Sequence, residues 1–309
     1  MAATRLGLRG VVGQFYARLD AVTSDSWEGS ISMLMNSDQF QEEYKWLGQT
    51  PPMREWIGGR EAADLLEKGI IIVNKTYEAT LNINNDELRR DKSGQLMVRV
   101  NELADRAAEH WGKLLSTLIV TPGNSYDGVS FFNSAHTEDD SGAQDNLLVA
   151  GDVPALDVTT PTSPTVEKMN LAIIGVLAKL LAFKDNQGEP MNANARQFVL
   201  MVPTNLLGAS MGAVNNALIA AGSGSQTNTL QNGPYNINVV HNPRLDAVDT
   251  VFYLFRTDAS AAAFIRQQEL FETGMEEQGF MNNRTLFGVK ANRNVGVGYW
   301  QYAVKATLS

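Results

Sequence analysis

The sequence predicts an α+β fold strung along one long helix, and three observations carry that expectation. Residues 77–83 alternate, with Tyr77, Ala79, Leu81 and Ile83 on one side and Glu78, Thr80 and Asn82 on the other. That is the period of a half-buried strand. An apolar stripe then recurs at spacings of four and three through Leu96, Val100, Leu103, Ala107, Trp111, Leu114 and Leu118, as in a helix with one buried face. Beyond residue 165, short apolar strands alternate with amphipathic helices.

The chain has 309 residues, room for one large domain or two smaller ones. Its apolar content of 44% is ample for a core, and its formal charge is −9. An acidic chain is poorly suited to grip nucleic acid through phosphates. With no cysteine, a disulfide framework and a thiolate zinc site are excluded. The three histidines, His110, His136 and His241, are scattered. The N-terminus lacks the apolar core of a signal peptide, and no apolar run approaches the ~18 residues of a membrane span. The expectation is a soluble protein made in a cytoplasm.

Residues 1–49 read as an arm. Val11, Phe15, Arg18 and Val22 fit a short amphipathic helix, polar Thr23-Ser24-Asp25-Ser26 follows, and a weak second helix starts at Trp27. Without a continuous core pattern, the arm is expected to lie on something other than its own domain. Residues 50–76 are an excursion: Pro51-Pro52 opens it, Gly58-Gly59 interrupts it, and Gly69 precedes Ile70-Ile71-Ile72-Val73. After the strand 77–83, Asn84-Asn85-Asp86 breaks the alternation, and Ser93 is placed to cap a helix from about Gly94 to Val120. Such a helix is roughly 40 Å long at 1.5 Å per residue, so an elongated, flattened subunit is expected. Glu102 and Arg106 fall on its wet side, four apart, and Pro122-Gly123 ends it.

Residues 121–164 read as loops with short strands. Ser163-Pro164 suits the cap and first position of a helix to about Phe183, with Met169, Ile173, Val176, Leu180 and Phe183 on one face. Phe198 to Val202 is an apolar strand, and Pro203-Thr204-Asn205 starts a helix with Leu207, Met211, Val214 and Leu218 as its stripe. Residues 222–234 read as a flexible loop, and 236–241 and 250–256 as strands. In the tail, Val295, Val297 and Tyr299 alternate, then Trp300, Tyr302 and Val304 in the other parity; the slip predicts a bulge or bend.

Several of these residues form a recognisable set. Tyr44-Lys45-Trp46-Leu47-Gly48, Pro51, Arg54-Glu55-Trp56-Ile57-Gly58, Asn74-Lys75-Thr76-Tyr77-Glu78 and Asp86-Glu87-Leu88 through Asp91 are followed by Asp127-Gly128, Phe131-Phe132 and His136. Together they resemble the major head subunit of Mu-like phages and prophages, a branch of the Hong Kong 97-type capsid fold. The resemblance is dense over about residues 40–140 and thinner beyond. It implies an N-terminal arm at 1–49, an extended loop at 50–76, and a peripheral domain at 77–165 with its spine helix at 94–120. An axial domain at 166–256 and a return to the peripheral domain at 257–309 complete it.

The resemblance also implies a function. The chain is expected to be a major capsid protein that self-assembles into the icosahedral head shell of a tailed phage or prophage around double-stranded DNA. It would assemble in the bacterial host cytoplasm and reside in the virion capsid. Its implied partners are itself in pentamers and hexamers, then scaffold, portal and decoration proteins, and packaged DNA touched weakly and without sequence preference. No cofactor, membrane or catalysis is implied. The acidic cluster usual in the family after the strand is diluted here to Asp86-Glu87-Leu88-Arg89-Arg90-Asp91, which leaves the salt-bridge partners of this turn open. The opening Met1 is expected to mean that no large N-terminal scaffolding segment is removed.

Five residues are expected at contacts between subunits: Trp46, Arg54, Trp56, Arg60 and Ile71. Aromatics and arginine are enriched at interfaces, and a β-branched apolar strand seeks a partner edge or surface; the alternative is that these residues are core. His136 with Glu138, Asp139 and Asp140 has the composition of a hard-cation site. One loop does not define ligand number or geometry, so a structural histidine among solvated acids is expected, and His136→Ala should leave assembly intact. His110, one residue off the helical stripe, is expected to be half-buried. The glycine-rich 222–233 lacks a P-loop lysine and does not join a strand to a helix. No Ser/His/Asp order, histidine pair or paired-acid motif marks an enzyme. Glu269, Glu272, Glu276 and Glu277 read as a solvated face, with an acidic lining toward DNA as the alternative. Two further readings stay open: an encapsulin-like compartment holding protein cargo, and an enzyme with an unrecognised site.

Overall fold

The computed structural model describes residues 2–24, 26–45, 69–86, 94–221, 224–278 and 282–309. Helix α1 (Ala2–Thr23) leads to one helical turn at Glu28–Ile31, then to strands β1 (Ser32–Asn36), β2 (Gln41–Tyr44), β3 (Ile70–Val73) and β4 (Lys75–Asn84). The long helix α2 runs Gln95–Val120. Strand β5 (Leu147–Leu148), helix α3 (Val166–Leu181), strand β6 (Gln197–Val202) and helix α4 (Leu207–Asn215) follow. Next come β7 (Leu218–Ala221), β8 (Gly224–Thr227), β9 (Asn236–His241) and β10 (Val251–Arg256). Two long strands, β11 (Phe264–Gln278) and β12 (Arg284–Val297), precede the last, β13 (Ala303–Thr307).

Two sheets carry these elements. The first has the order β1-β11-β12-β4. Its centre is the antiparallel pair β11–β12, with a bulge between Gln268 and Leu270. β4 joins one edge antiparallel and β1 the other edge parallel. The second sheet has the order β9-β6-β10-β13-β5, parallel at its two ends and antiparallel between.

Helix α2 spans two cores. Its first half places Val100, Leu103 and Ala104 with Val11, Phe15, Ile83, Phe287 and Val289. Its second half places Leu115 and Ile119 in the larger core that also holds Phe131, Phe252 and Trp300. Of the expected stripe, Val100, Leu103 and Trp111 are buried and Leu96, Ala107, Leu114 and Leu118 half-buried, while beyond Trp111 the fully buried positions are Leu115 and Ile119. Spacings of four and three average 3.5 residues, and a straight helix turns every 3.6, so the buried face drifts along the helix. The cap is Gly94, at φ 74°, with no side-chain bond. Glycine occupies that left-handed conformation without a Cβ penalty. Ser93, the expected cap, lies outside the described residues. Arg106 pairs with Glu109 at 3.6 Å rather than with Glu102.

Several expectations need correction. The arm does not lie off its own domain: α1 packs along α2, with Val11 and Phe15 wholly buried. Phe15 meets Phe287 edge-on at 5.7 Å, and Arg18 donates twice to Asp105, at 2.7 and 3.1 Å. Gly10 and Gly13 dilute the apolar pattern that would have announced this docking. Only one turn of the second helix forms, and β1 and β2 follow where the weak helix from Trp27 was expected. Of the extended loop at 50–76, residues 70–73 and 75–76 are strand.

The tail is corrected as well. β11 and β12 rejoin the sheet beneath α2, but β13 joins the second sheet beside β10. A 3-10 turn at Trp300–Tyr302 makes the change of sheet, at the place where the parity slips. Helix α3 is capped by Thr165, whose Oγ1 accepts from the Lys168 amide, and not by Ser163. Residues 222–234 are not one loop: β7 and β8 form a hairpin, and a helical turn at Thr229–Asn232 follows. Asn228, 1% exposed, holds that turn by donating to the carbonyls of Ala213 and Asn216 and accepting from the Leu230 amide. Leu218 lies in β7 and is 60% exposed, so the α4 stripe ends before it.

Candidate functional site

Strand β3 combines a pinned backbone with a free apolar face. β2 pairs with it antiparallel, Glu43 opposite Ile71. Buried Gln267 of β11 ties the pair to the first sheet. Its Oε1 accepts from the Tyr44 hydroxyl at 2.8 Å, and its Nε2 donates to the Ile72 carbonyl and to Asn74 Oδ1. Asn294 of β12 donates to the Val73 carbonyl at 2.8 Å. Ile72 therefore points inward, 3% exposed, onto Gly296, where no larger residue leaves room for it. Ile71 points outward and is 57% exposed, with Phe40, 72% exposed, in the loop that leads into β2. Leu34, Val98, Val149, Leu171, Met211 and Leu218 are also large apolar residues exposed among the described residues. Of the five expected contact residues, only Ile71 can be placed; Trp46, Arg54, Trp56 and Arg60 lie outside the described residues.

A second cluster is buried. His136 is wholly buried and lies against Trp300. Its Nδ1 bonds to Asp127 Oδ2 at 2.5 Å and its Nε2 to Asn146 Oδ1 at 3.2 Å. Glu138, 4% exposed, accepts three bonds at one oxygen: from the Tyr126 hydroxyl, Trp300 Nε1 and Gln301 Nε2. Asp139 and Asp140 are exposed. The loop's four polar residues thus do not converge on one point. His136 and Glu138 serve two different buried hydrogen-bond sets, and the outer acids face solvent. Signals for Tyr126, Asn146 and Gln301 were absent from the sequence pattern, because each is a lone polar residue far from its partners.

A third feature is cationic. Arg293 of β12 and Arg266 of β11 both pack over the Trp111 ring, at 4.6 and 5.6 Å. His110 is half-buried, as expected, and its ring stands 4.3 Å from that of Tyr77. Glu269, Glu272, Glu276 and Glu277 are exposed on β11, the solvated face expected of them. Among the described residues, no helix is long and apolar enough to cross a membrane.

Comparison with known proteins decides the family. The model of the Mu-like prophage major head subunit gpT family matches residues 8–153 and 236–309. The chain belongs to the Mu-like prophage major head subunit family. The major capsid protein of Escherichia phage Mu is 32% identical over 108 residues, which cover 34% of this chain and 35% of that protein. The matched stretch is therefore about a third of the curated relative's length. Among solved structures, the procapsid of bacteriophage JBD30 superposes with a TM-score of 0.53 at 19% identity, covering 98% of this chain and 75% of that one. A virus-like particle from Pyrococcus furiosus gives 0.50 at 9% identity, covering 95% and 98%. At these identities the superpositions establish the fold alone, which is the Hong Kong 97-type capsid fold in its α+β form. The head-subunit family match omits residues 154–235, which hold α3, β6, α4 and the β7–β8 hairpin.

Proposed function

We propose that this chain is the major capsid protein of a Mu-like phage or prophage, assembling in pentamers and hexamers into an icosahedral shell around double-stranded DNA. The observation that carries the reading is the family match, whose two segments take in α2 and all four strands of the first sheet. In this reading the peripheral domain is α2 with the first sheet, and the axial domain is α3 with the second. Residues 50–76 act as the extended loop, and Trp46, Arg54, Trp56, Arg60 and Ile71 meet neighbouring subunits. Scaffold, portal and decoration proteins are its further partners, and the host cytoplasm is where it assembles. Each contact is small, and closed symmetry makes the assembly cooperative. A formal charge of −9 lets packaged DNA lie along the wall without binding it tightly.

Negative-stain images of the purified protein, with an absorbance ratio for nucleic acid on particles from the natural source, test this. Shells that contain DNA are expected. Shells filled with one protein would favour an encapsulin-like compartment instead. A monomer whose light scattering does not change with concentration, even beside its scaffold partner, would overturn both, and turnover of a substrate would then point to an enzyme.

A further inference from the structure

Between β4 and α2 lies a cavity of about 90 Å³, lined by Tyr77, Glu78, Ala79, Arg106, His110 and Arg293 among others. Arg293 is 4% exposed. Its Nε donates to His110 Nδ1 at 3.0 Å and its Nη2 to the Ala107 carbonyl at 2.9 Å. Both partners are neutral. Among the described residues, no carboxylate lies within ion-pair distance of it. Burying a cation without a counter-charge is costly. Burial pushes the Arg293 guanidinium down to about 10, and the neighbouring Arg266 adds to that shift.

The cavity wall is mostly apolar, with Ala79, Ala107, Val289 and Ala291, and its donors are few. Because His110 Nδ1 accepts from Arg293, the proton of the neutral ring sits on Nε2. The ring is neutral at pH 7: burial, then Arg293 and Lys113, push its pKa down to about 4. Arg106 stands 80% exposed at the same cavity, paired loosely with Glu109. The cavity's one acid, Glu78, is solvent-exposed and accepts from the Thr80 hydroxyl at 2.9 Å, which does not cancel its charge, so a bound anion must be held away from it by Arg293 and Arg106.

We propose that this cavity is an anion site taking a carboxylate or small oxyanion, recognised by Arg293, Arg106 and the Nε2–H of His110. Ion pairing with a guanidinium is the strong form of such recognition. The volume is that of about three waters at roughly 30 Å³ each, enough for one carboxylate group. The carboxylate has two sources: a small free anion, or an acidic side chain of a second copy, each copy carrying 34 Asp and Glu.

The test titrates the ¹⁵N-labelled unassembled subunit with sodium acetate, and separately with sodium chloride at matched ionic strength. The Arg293 Nε–H signal should shift saturably with acetate, half-complete at millimolar concentration, and stay put in chloride. Arg106→Gln, a change at an exposed position, should raise the half-saturation concentration several-fold with an unchanged melting temperature. Arg293→Lys should abolish the acetate response of the His110 ring signals. In an electron-microscopy map of the assembled particle, a neighbour's acidic side chain at Arg293 assigns the source to a second copy, and isolated density assigns it to a free anion. Identical acetate and chloride titrations together with an empty cavity in the particle would overturn the proposal. The titration needs no particle, so it stands apart from the shell reading.

Discussion

His136 and Trp300 lie face to face, ring centroids 4.1 Å apart and planes 5° from parallel. The imidazole is held there by Asp127 on one nitrogen and Asn146 on the other. This contact joins the loop after α2 to the turn that carries the chain between sheets.

The sequence reading that His136→Ala leaves assembly intact says nothing of the fold, where the change is not neutral. The change opens a cavity against Trp300 and strips a partner from two buried polar groups. It should cost about 2–4 kcal/mol in denaturant unfolding. Glu138→Ala, which orphans Trp300 Nε1–H and takes one acceptor from Tyr126 and Gln301, which still bond to each other, should cost about 2 kcal/mol or more, and Glu138→Gln, which keeps an acceptor, clearly less. Equal losses for the two Glu138 variants would mean that the shared acceptor does not matter.

Acid should weaken the fold through His110. Its folded pKa is pushed down by burial, then by Arg293 and Lys113, to about 4, against an ordinary 6.5. Between those values the unfolded chain binds a proton that the folded chain does not, so stability is full above 6.5 and falls as pH drops toward 4. The group is half-exposed, and solvent screening reduces the effect to on the order of 1 kcal/mol. The difference between wild type and His110→Gln, followed by urea melts from pH 7 to pH 4, isolates this contribution. A constant difference across that range would refute it.

Two adjacent isoleucines should behave oppositely. Ile72→Asp puts an unpaired charge at a site 3% exposed, and a loss of several kcal/mol should leave little folded protein. Ile71→Asp changes a site 57% exposed, so the melt of the unassembled subunit should stay within about 0.5 kcal/mol of wild type. Particle counts by electron microscopy should nonetheless fall. If Ile71→Asp assembles normally, this face of β3 makes no subunit contact.

Phe15→Ala tests whether α1 belongs to the subunit's own core. Loss of this wholly buried ring should cost about 3–5 kcal/mol. Hydrogen exchange should quicken in α1 and along α2 near Val100, while the second sheet keeps its protection. Uniform acceleration through both sheets would show that α1 is not a separable unit.

Strong local periodicity made some elements legible. β4 and α2 lie within two residues of their expected bounds, and β9 matches residue for residue, because each carries its apolar periodicity within a few residues of chain. β1 had no such signal: Ser32-Met33-Leu34-Met35-Asn36 is a strand only because Phe264 to Gln268 offers it an edge. The change of sheet at Trp300 was visible as a parity slip, but its destination was not, since β13 finds its partners in β10 and β5. The buried cluster was hidden for the same reason. Glu138 gains its donors from residues as far as 163 positions away, and no local pattern reports that. The strand at Ile70–Val73 was legible as a bare β-branched run after a glycine, and its contact with a neighbour rests on the Ile71→Asp test.

The edge position of β4 has a consequence for synthesis. Its partner in the sheet is β12, and Asn85 meets Thr285 across 200 residues of chain. At roughly 5–20 residues per second, the ribosome takes about 10–40 s to deliver that partner. Until then one edge of β4 waits unpaired, and α2 has only α1 against its first half. Contacts so distant in sequence also slow folding once the chain is complete. A nascent subunit of this topology is thus most at risk of sticking to others before it has a shape, and holdase chaperones have their longest opportunity in that interval.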